Sequence, residues 1–170
     1  TLDTGRGLRT VGLLSTNPAA ASVPSSVTTD RFGQTVVHFT VTTYPVAVST
    51  NVTITATEGG VSRQAVITVR PPILTSVLFS PNPVRGLDNS VATITINRPA
   101  PGASWLCTIS GPSPIYFTAG SIVSFTTGTT STTKTVNTVA VAEPVTVQIT
   151  VQPPSGQSPT VQWFLTVVPT

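Results

Sequence analysis

Few side chains in this sequence can move a proton, hold a metal or attack a carbonyl. His38 is the one histidine. No cysteine or carboxylate stands near it in a ligand spacing, so it reads as a surface residue on the outer face of a strand, beside Thr40. The acids are Asp3, Asp30, Glu58, Asp88 and Glu143. Each sits in a turn-like context, where Asx-type hydrogen bonds account for the aspartates. No Asp-x-Asp run offers the several oxygens that calcium needs. There is no Gly-x-Ser-x-Gly elbow, and Gly5-Arg6-Gly7 is too short to cradle a phosphate. Cys107 is the one cysteine, so it has no intrachain disulfide partner. Within Trp105-Leu106-Cys107-Thr108-Ile109 it reads as a small buried hydrophobe. This inventory predicts a non-enzymatic chain with no cofactor, no metal and no catalytic residue.

Aromatic side chains offer a different chemistry, stacking on a sugar ring. Trp163 alternates with apolar positions and is expected in the core. That leaves Tyr116 and Trp105 as candidate surface contacts for a glycan. Asn51-Val52-Thr53 is a glycosylation sequon, and the threonine-rich run 126–135 reads as a soluble, β-prone edge. Charge excludes more than it suggests. Only 8% of the 170 residues are charged, and the net charge of +3 comes from dispersed arginines and Lys134. With no basic run and no interleaved stacking aromatics, nucleic acid is not an expected partner. No apolar run has transmembrane length. A processed secreted chain would look like this, and so would a piece of a longer one.

The elements that carry these residues are strands. Sixteen prolines and twelve glycines punctuate short alternating runs, and no window has helical period. That is the pattern of an all-β sandwich. Val37, Phe39 and Val41 alternate with Val36, His38 and Thr40. Val52, Ile54 and Ala56 face inward on one arm of a hairpin, and Ala65, Ile67 and Val69 on the other. Glu58-Gly59-Gly60 supplies the turn between them. The chain then meets Arg70-Pro71-Pro72-Ile73. Two successive prolines remove two ladder donors, so no sheet passes through them. They mark a seam between two β-domains, residues 1–72 and 73–170.

The two halves repeat. Val52-Thr53-Ile54-Thr55 matches Val145-Thr146-Val147-Gln148, and Ala65-Val66-Ile67-Thr68-Val69 matches Trp163-Phe164-Leu165-Thr166-Val167. Run backwards, the match leaves the first half without counterparts of the strands near Leu74 and Ser90. A sandwich lacking those strands exposes core side chains and a bare sheet edge. Three remedies are open. The chain is part of a longer one, the region 8–15 closes a smaller fold, or a neighbouring chain adds a strand.

Residues Ser15 to Val27 and Val41 to Pro72 resemble the tandem immunoglobulin-like repeats of bacterial secreted and cell-surface proteins. Leu74-Thr75-Ser76-Val77-Leu78-Phe79-Ser80-Pro81-Asn82-Pro83-Val84 is similar to their opening strand. The resemblance implies two tandem immunoglobulin-like β-sandwiches, the first lacking its opening strands, with a structural or adhesive role and no catalysis. The expected function is therefore a structural subunit of an extracellular filament or pilus-like fibre, assembled head-to-tail from copies of itself by strand complementation. Leu8, Val11, Leu13 and Leu14 are its expected exchange segment. The alternatives are a spacer of a large surface adhesin and, third, a carbohydrate-binding module with surface glycans as partners.

Overall fold

The computed structural model of the chain describes residues 8–29, 36–102, 105–154, 157 and 159–170. Asp3, Gly5-Arg6-Gly7 and the turn signal Asp30-Arg31-Phe32-Gly33 lie outside the described residues. Every regular element among those described is a β-strand. The chain divides into two compact units, Thr1–Arg70 and Pro71–Thr170, at the double proline.

In the first unit the strands are β1 (Thr10–Ser15), β2 (Ala21–Ser22), β3 (Ser26–Thr28), β4 (Thr42–Thr43), β5 (Thr50–Glu58) and β6 (Val61–Val69). Four form a sheet in the order β3-β1-β5-β6, while β2 and β4 pair separately. The β5–β6 hairpin is read correctly from sequence. Gly59 and Gly60 both have positive φ, which matches the twist of a two-residue turn to that of its strands. Val52, Ile54 and Val69 meet Ala20 and Ala21 in a small core.

Two expectations fail here. Residues 36–41 form no ladder, although their alternation is clear; only Thr42 and Thr43 pair, with Ser22 and Ala21. Alternation marks a strand's faces, but a ladder needs a partner backbone. The second failure concerns the exchange segment. β1 is an interior strand, bonded to β3 on one side and β5 on the other. Leu13 is buried, Val11 is half-buried, and Leu8 and Leu14 are exposed. β3 pairs with β1 at Thr10–Gly12 and β5 at Gly12–Ser15, so β1 is not a continuous bare edge, while Leu8 lies ahead of the strand.

The second unit contains β7 (Leu74–Ser80), β8 (Val84–Arg85), β9 (Asn89–Ile96), β10 (Leu106–Ser110), β11 (Ile115–Tyr116), β12 (Ile122–Ser124), β13 (Ser131–Thr138), β14 (Val145–Gln152) and β15 (Val161–Val168). They form two sheets, β11-β13-β9-β7 and β12-β10-β14-β15-β8. One buried cluster draws side chains from both, including Val77, Ile94, Val136, Ile149 and Leu165. Within the threonine-rich run, residues 131–135 pair with β9 on one side, and β11 reaches β13 only at Asn137 and Thr138, so the run is a largely exposed edge. The end of β13 beyond the run is buried: Thr138 Oγ1 donates to the carbonyls of Asp88 (2.7 Å) and Arg85 (3.1 Å), which pins the β8–β9 corner.

Trp105 is completely buried, edge-on to Phe125 with ring centroids 5.2 Å apart, and its Nε1–H donates to Gln157 Oε1. It is therefore not the surface sugar platform expected from sequence. A tryptophan at the start of a core strand has more apolar surface to hide than any neighbour. Tyr116 is exposed, and Trp163 packs against the core.

Cys107 is fully buried, and burial pushes its thiol from 9.0 up to about 12. The unfolded thiol releases its proton at a lower pH than the folded one. Unit 2 should therefore lose stability as pH rises above 9.0, the unfolded state binding fewer protons there. A thiol reagent at neutral pH is expected to label Cys107 only under denaturing conditions, as a colorimetric titration in urea will show.

Candidate strand-acceptor site

The pairings of the two units correspond strand by strand. β1 bonds β3 and β5 as β10 bonds β12 and β14. β2 bonds β4 as β11 bonds β13, and β5 bonds β6 as β14 bonds β15. Loop bonds agree as well. Leu13 N–H donates to Ser25 O as Ile109 N–H donates to Ser121 O, and Tyr44 N–H donates to Ala20 O as Val139 N–H donates to Pro114 O. Cross-strand register corrects the sequence alignment of the first arm. Val52 faces Ile67 and Val147 faces Leu165, so Val52 corresponds to Val147, not to Val145. The error is one strand period, which leaves the faces unchanged and so hides in an alternating sequence.

Three strands have no counterpart among the described residues of unit 1: those equivalent to β7, β8 and β9. Their absence accounts for the unpaired run. β13 is a full strand because β9 lies beside it through Thr133↔Thr93 and Lys134↔Ala92. The equivalent residues of unit 1, His38 and Phe39, have no such neighbour. It also leaves β6 as the last strand of its sheet, whereas β8 pairs in parallel with β15.

The result is an apolar groove. Phe39, Val41, Ile54, Ala56, Ala65 and Ile67 line a cavity of about 240 Å³. Ala65 is exposed and Ile67 half-buried, while Leu165, the equivalent of Ile67, is fully buried. In unit 2 that face is covered by Leu74, Val77, Val84, Ala92, Ile94 and Ile96, all from β7, β8 and β9. The rest of unit 1 is correspondingly lean. Arg9 and Thr29 occupy the places of Trp105 and Phe125, and they satisfy each other through Arg9 N–H to Thr29 Oγ1 and Thr29 N–H to Arg9 O, both 2.9 Å. Arg9 also pairs with Glu58 at 2.7 Å.

The residues singled out for polar chemistry are scattered. His38 is exposed, and Asp88 and Glu143 lie on separate turns of unit 2. No group of three His, Cys, Asp or Glu able to hold a metal occurs among the described residues. Among the described residues no helix is long and apolar enough to cross a membrane. Sequence reasoning singled out residues 8–15 as the exchange segment, whereas the apolar groove is lined from β5, β6 and residues 39–41. The signal for it lies in one substitution: β6 carries the small Ala65 where its equivalent on β15 is Trp163.

No protein-family model matches the chain, and no curated protein matches it. Among solved structures it is similar to domains 4–9 of the surface layer protein SbsC, with 15% identity and a TM-score of 0.35, covering 94% of this chain and 22% of that one. What defines the vacant site is the second unit of the same chain.

A matched pair of substitutions tests the vacancy. Leu165→Ala should cost about 2–5 kcal/mol, as for a buried leucine. Ile67→Ala, at the equivalent but wet position, should cost roughly 1 kcal/mol or less. Urea unfolding monitored for each unit gives both values, and equal losses would mean that Ile67 is covered.

Proposed function

We propose that the chain is a non-enzymatic structural subunit of an extracellular, cell-surface assembly, built of immunoglobulin-like sandwiches, whose first unit is completed by a β-segment from outside itself. One observation carries this reading. The strands of unit 1 repeat the pairings of their equivalents in unit 2, but among its described residues none corresponds to β7, β8 or β9, which cover the apolar face in unit 2. A wet apolar groove beside an unpaired strand is an adhesive surface. Main-chain bonds along the edge supply affinity, and alternating side chains in the groove set register. When the completing segment belongs to the next subunit, the contact is heterologous and does not close, which yields a head-to-tail filament or pilus-like fibre. A surface rich in threonine and serine and poor in charge fits a load-bearing wall element better than an enzyme.

A second reading, a spacer of a large surface adhesin, is favoured by the size of the gap. Strand donation by a neighbour adds one strand, whereas three consecutive strands are vacant here. In the spacer, the same polypeptide supplies them. A carbohydrate-binding module loses half of its expected platform with the burial of Trp105.

Sedimentation velocity over a hundredfold concentration range, followed by negative-stain electron microscopy, separates these readings. The filament reading expects growing polymers with unit 1 at each joint. A discrete monomer at every concentration contradicts the filament and leaves the spacer.

A further inference from the structure

Resting on the reading of unit 1 as an acceptor, we infer that its occupant is a peptide segment carrying Asn-x-Val-x-Gly, which docks in parallel along β6 with the asparagine amide forked across Val66 O and Thr68 N–H. Unit 2 holds the template. There Asn82 Nδ2 donates to Phe164 O at 3.1 Å, and Thr166 N–H donates to Asn82 Oδ1 at 3.0 Å. The side-chain amide thus imitates one step of a ladder before the backbone takes over. Val84 and Arg85 pair in parallel with Val167 and Val168, and Gly86 N–H donates to Val168 O at 2.8 Å.

Each receiving group has its equal in unit 1. By strand register, Phe164, Thr166, Val167 and Val168 correspond to Val66, Thr68, Val69 and Arg70. Val66 is 63% exposed, against 58% for Phe164, so both side chains point away from the core and leave the backbone edge accessible. Val84 is 1% exposed in its slot beside Val167. Val69, the equivalent of Val167, follows the groove residue Ile67 by two positions on β6, and the slot beside it calls for a branched aliphatic side chain.

The glycine follows from close approach. A Cβ on Gly86 would lie 2.9 Å from Val139 O and 3.0 Å from Ala140 Cα. These are backbone atoms, which cannot swing aside. Tyr44 stands where Val139 does, held by the equivalent bond to Ala20 O, so an occupant of unit 1 meets the same wall. Asparagine, valine and glycine at alternate positions are therefore a recognition code set by one sheet edge. Parallel polarity distinguishes this occupant from a second copy pairing β6 to β6, which two-fold symmetry makes antiparallel.

The probe is a fluorescein-labelled peptide of this chain's own residues 74–96, titrated into the intact chain and read by anisotropy, with amide NMR shifts to locate it. Saturable binding with shifts at Val66, Thr68 and Arg70 is expected. The Asn82→Ala peptide should bind roughly tenfold more weakly, both side-chain hydrogen bonds being lost in part to water, and the Gly86→Ala peptide weaker still. As a second arm, fusing residues 71–96 ahead of residue 1 should raise the unfolding midpoint of unit 1, and Asn82→Ala within the fused copy alone should lower it again. Equal binding by all three peptides, absence of binding, or β6-to-β6 pairing overturns the inference while leaving unit 1 open. If instead Ile67→Ala proves as costly as Leu165→Ala in the unfused chain, unit 1 is already closed and the acceptor reading itself fails.

Discussion

An apolar sheet face is stable in water only under a second layer, and in this fold that layer is laid down by the first three strands of the module. In unit 2, β9 pairs with β7 and β13 while β8 crosses to the edge of β15. Those three strands thus hold one sheet together and close the other. Everything distinctive about unit 1 follows from their absence among its described residues. The groove is wet, residues 36–41 have no ladder, and the long strand β6 has a bare edge. An edge of nine residues is the kind that proteins usually blunt or cover. Here Arg63 on β6 is the only charge along it.

The same constraint explains why the chain has little chemistry. Its buried polar groups serve the corners. Thr138 and Asn137 hold the β8–β9 and β11 loops, and Ser90 Oγ donates to Pro81 O, while the exposed Asn82 spans the start of the parallel pair. No buried side-chain polar atom is left without a partner among the described residues. Polar groups thus fix geometry, and the open groove of unit 1 is almost wholly apolar.

Much of the fold was legible because period-two alternation and proline–glycine punctuation are local signals. The β5–β6 hairpin, the Pro71-Pro72 seam and the inward face of β15 all rest on such signals. The repeat was legible as well, and the pairing schemes of the two units match it. What escaped depends on partners distant in sequence. Residues 36–41 alternate as well as any strand, yet only a neighbouring backbone makes them one. β1 looked like a free arm because its pairing with β5 spans some forty residues. Trp105 looked like a surface aromatic because its cover, Phe125, lies across the sheet. The register of Val52 slipped by one period, an error that only cross-strand pairing corrects.

Native-state hydrogen exchange at one pair of equivalent amides tests the vacancy most directly. Thr166 N–H is bonded to Asn82 Oδ1, and Thr68 N–H occupies the same place on β6. In the dilute chain alone, the account predicts exchange at Thr68 near the rate of an unprotected amide, and at Thr166 only through opening of unit 2. Equal, strong protection at both amides would contradict it, since the edge of β6 would then already be filled.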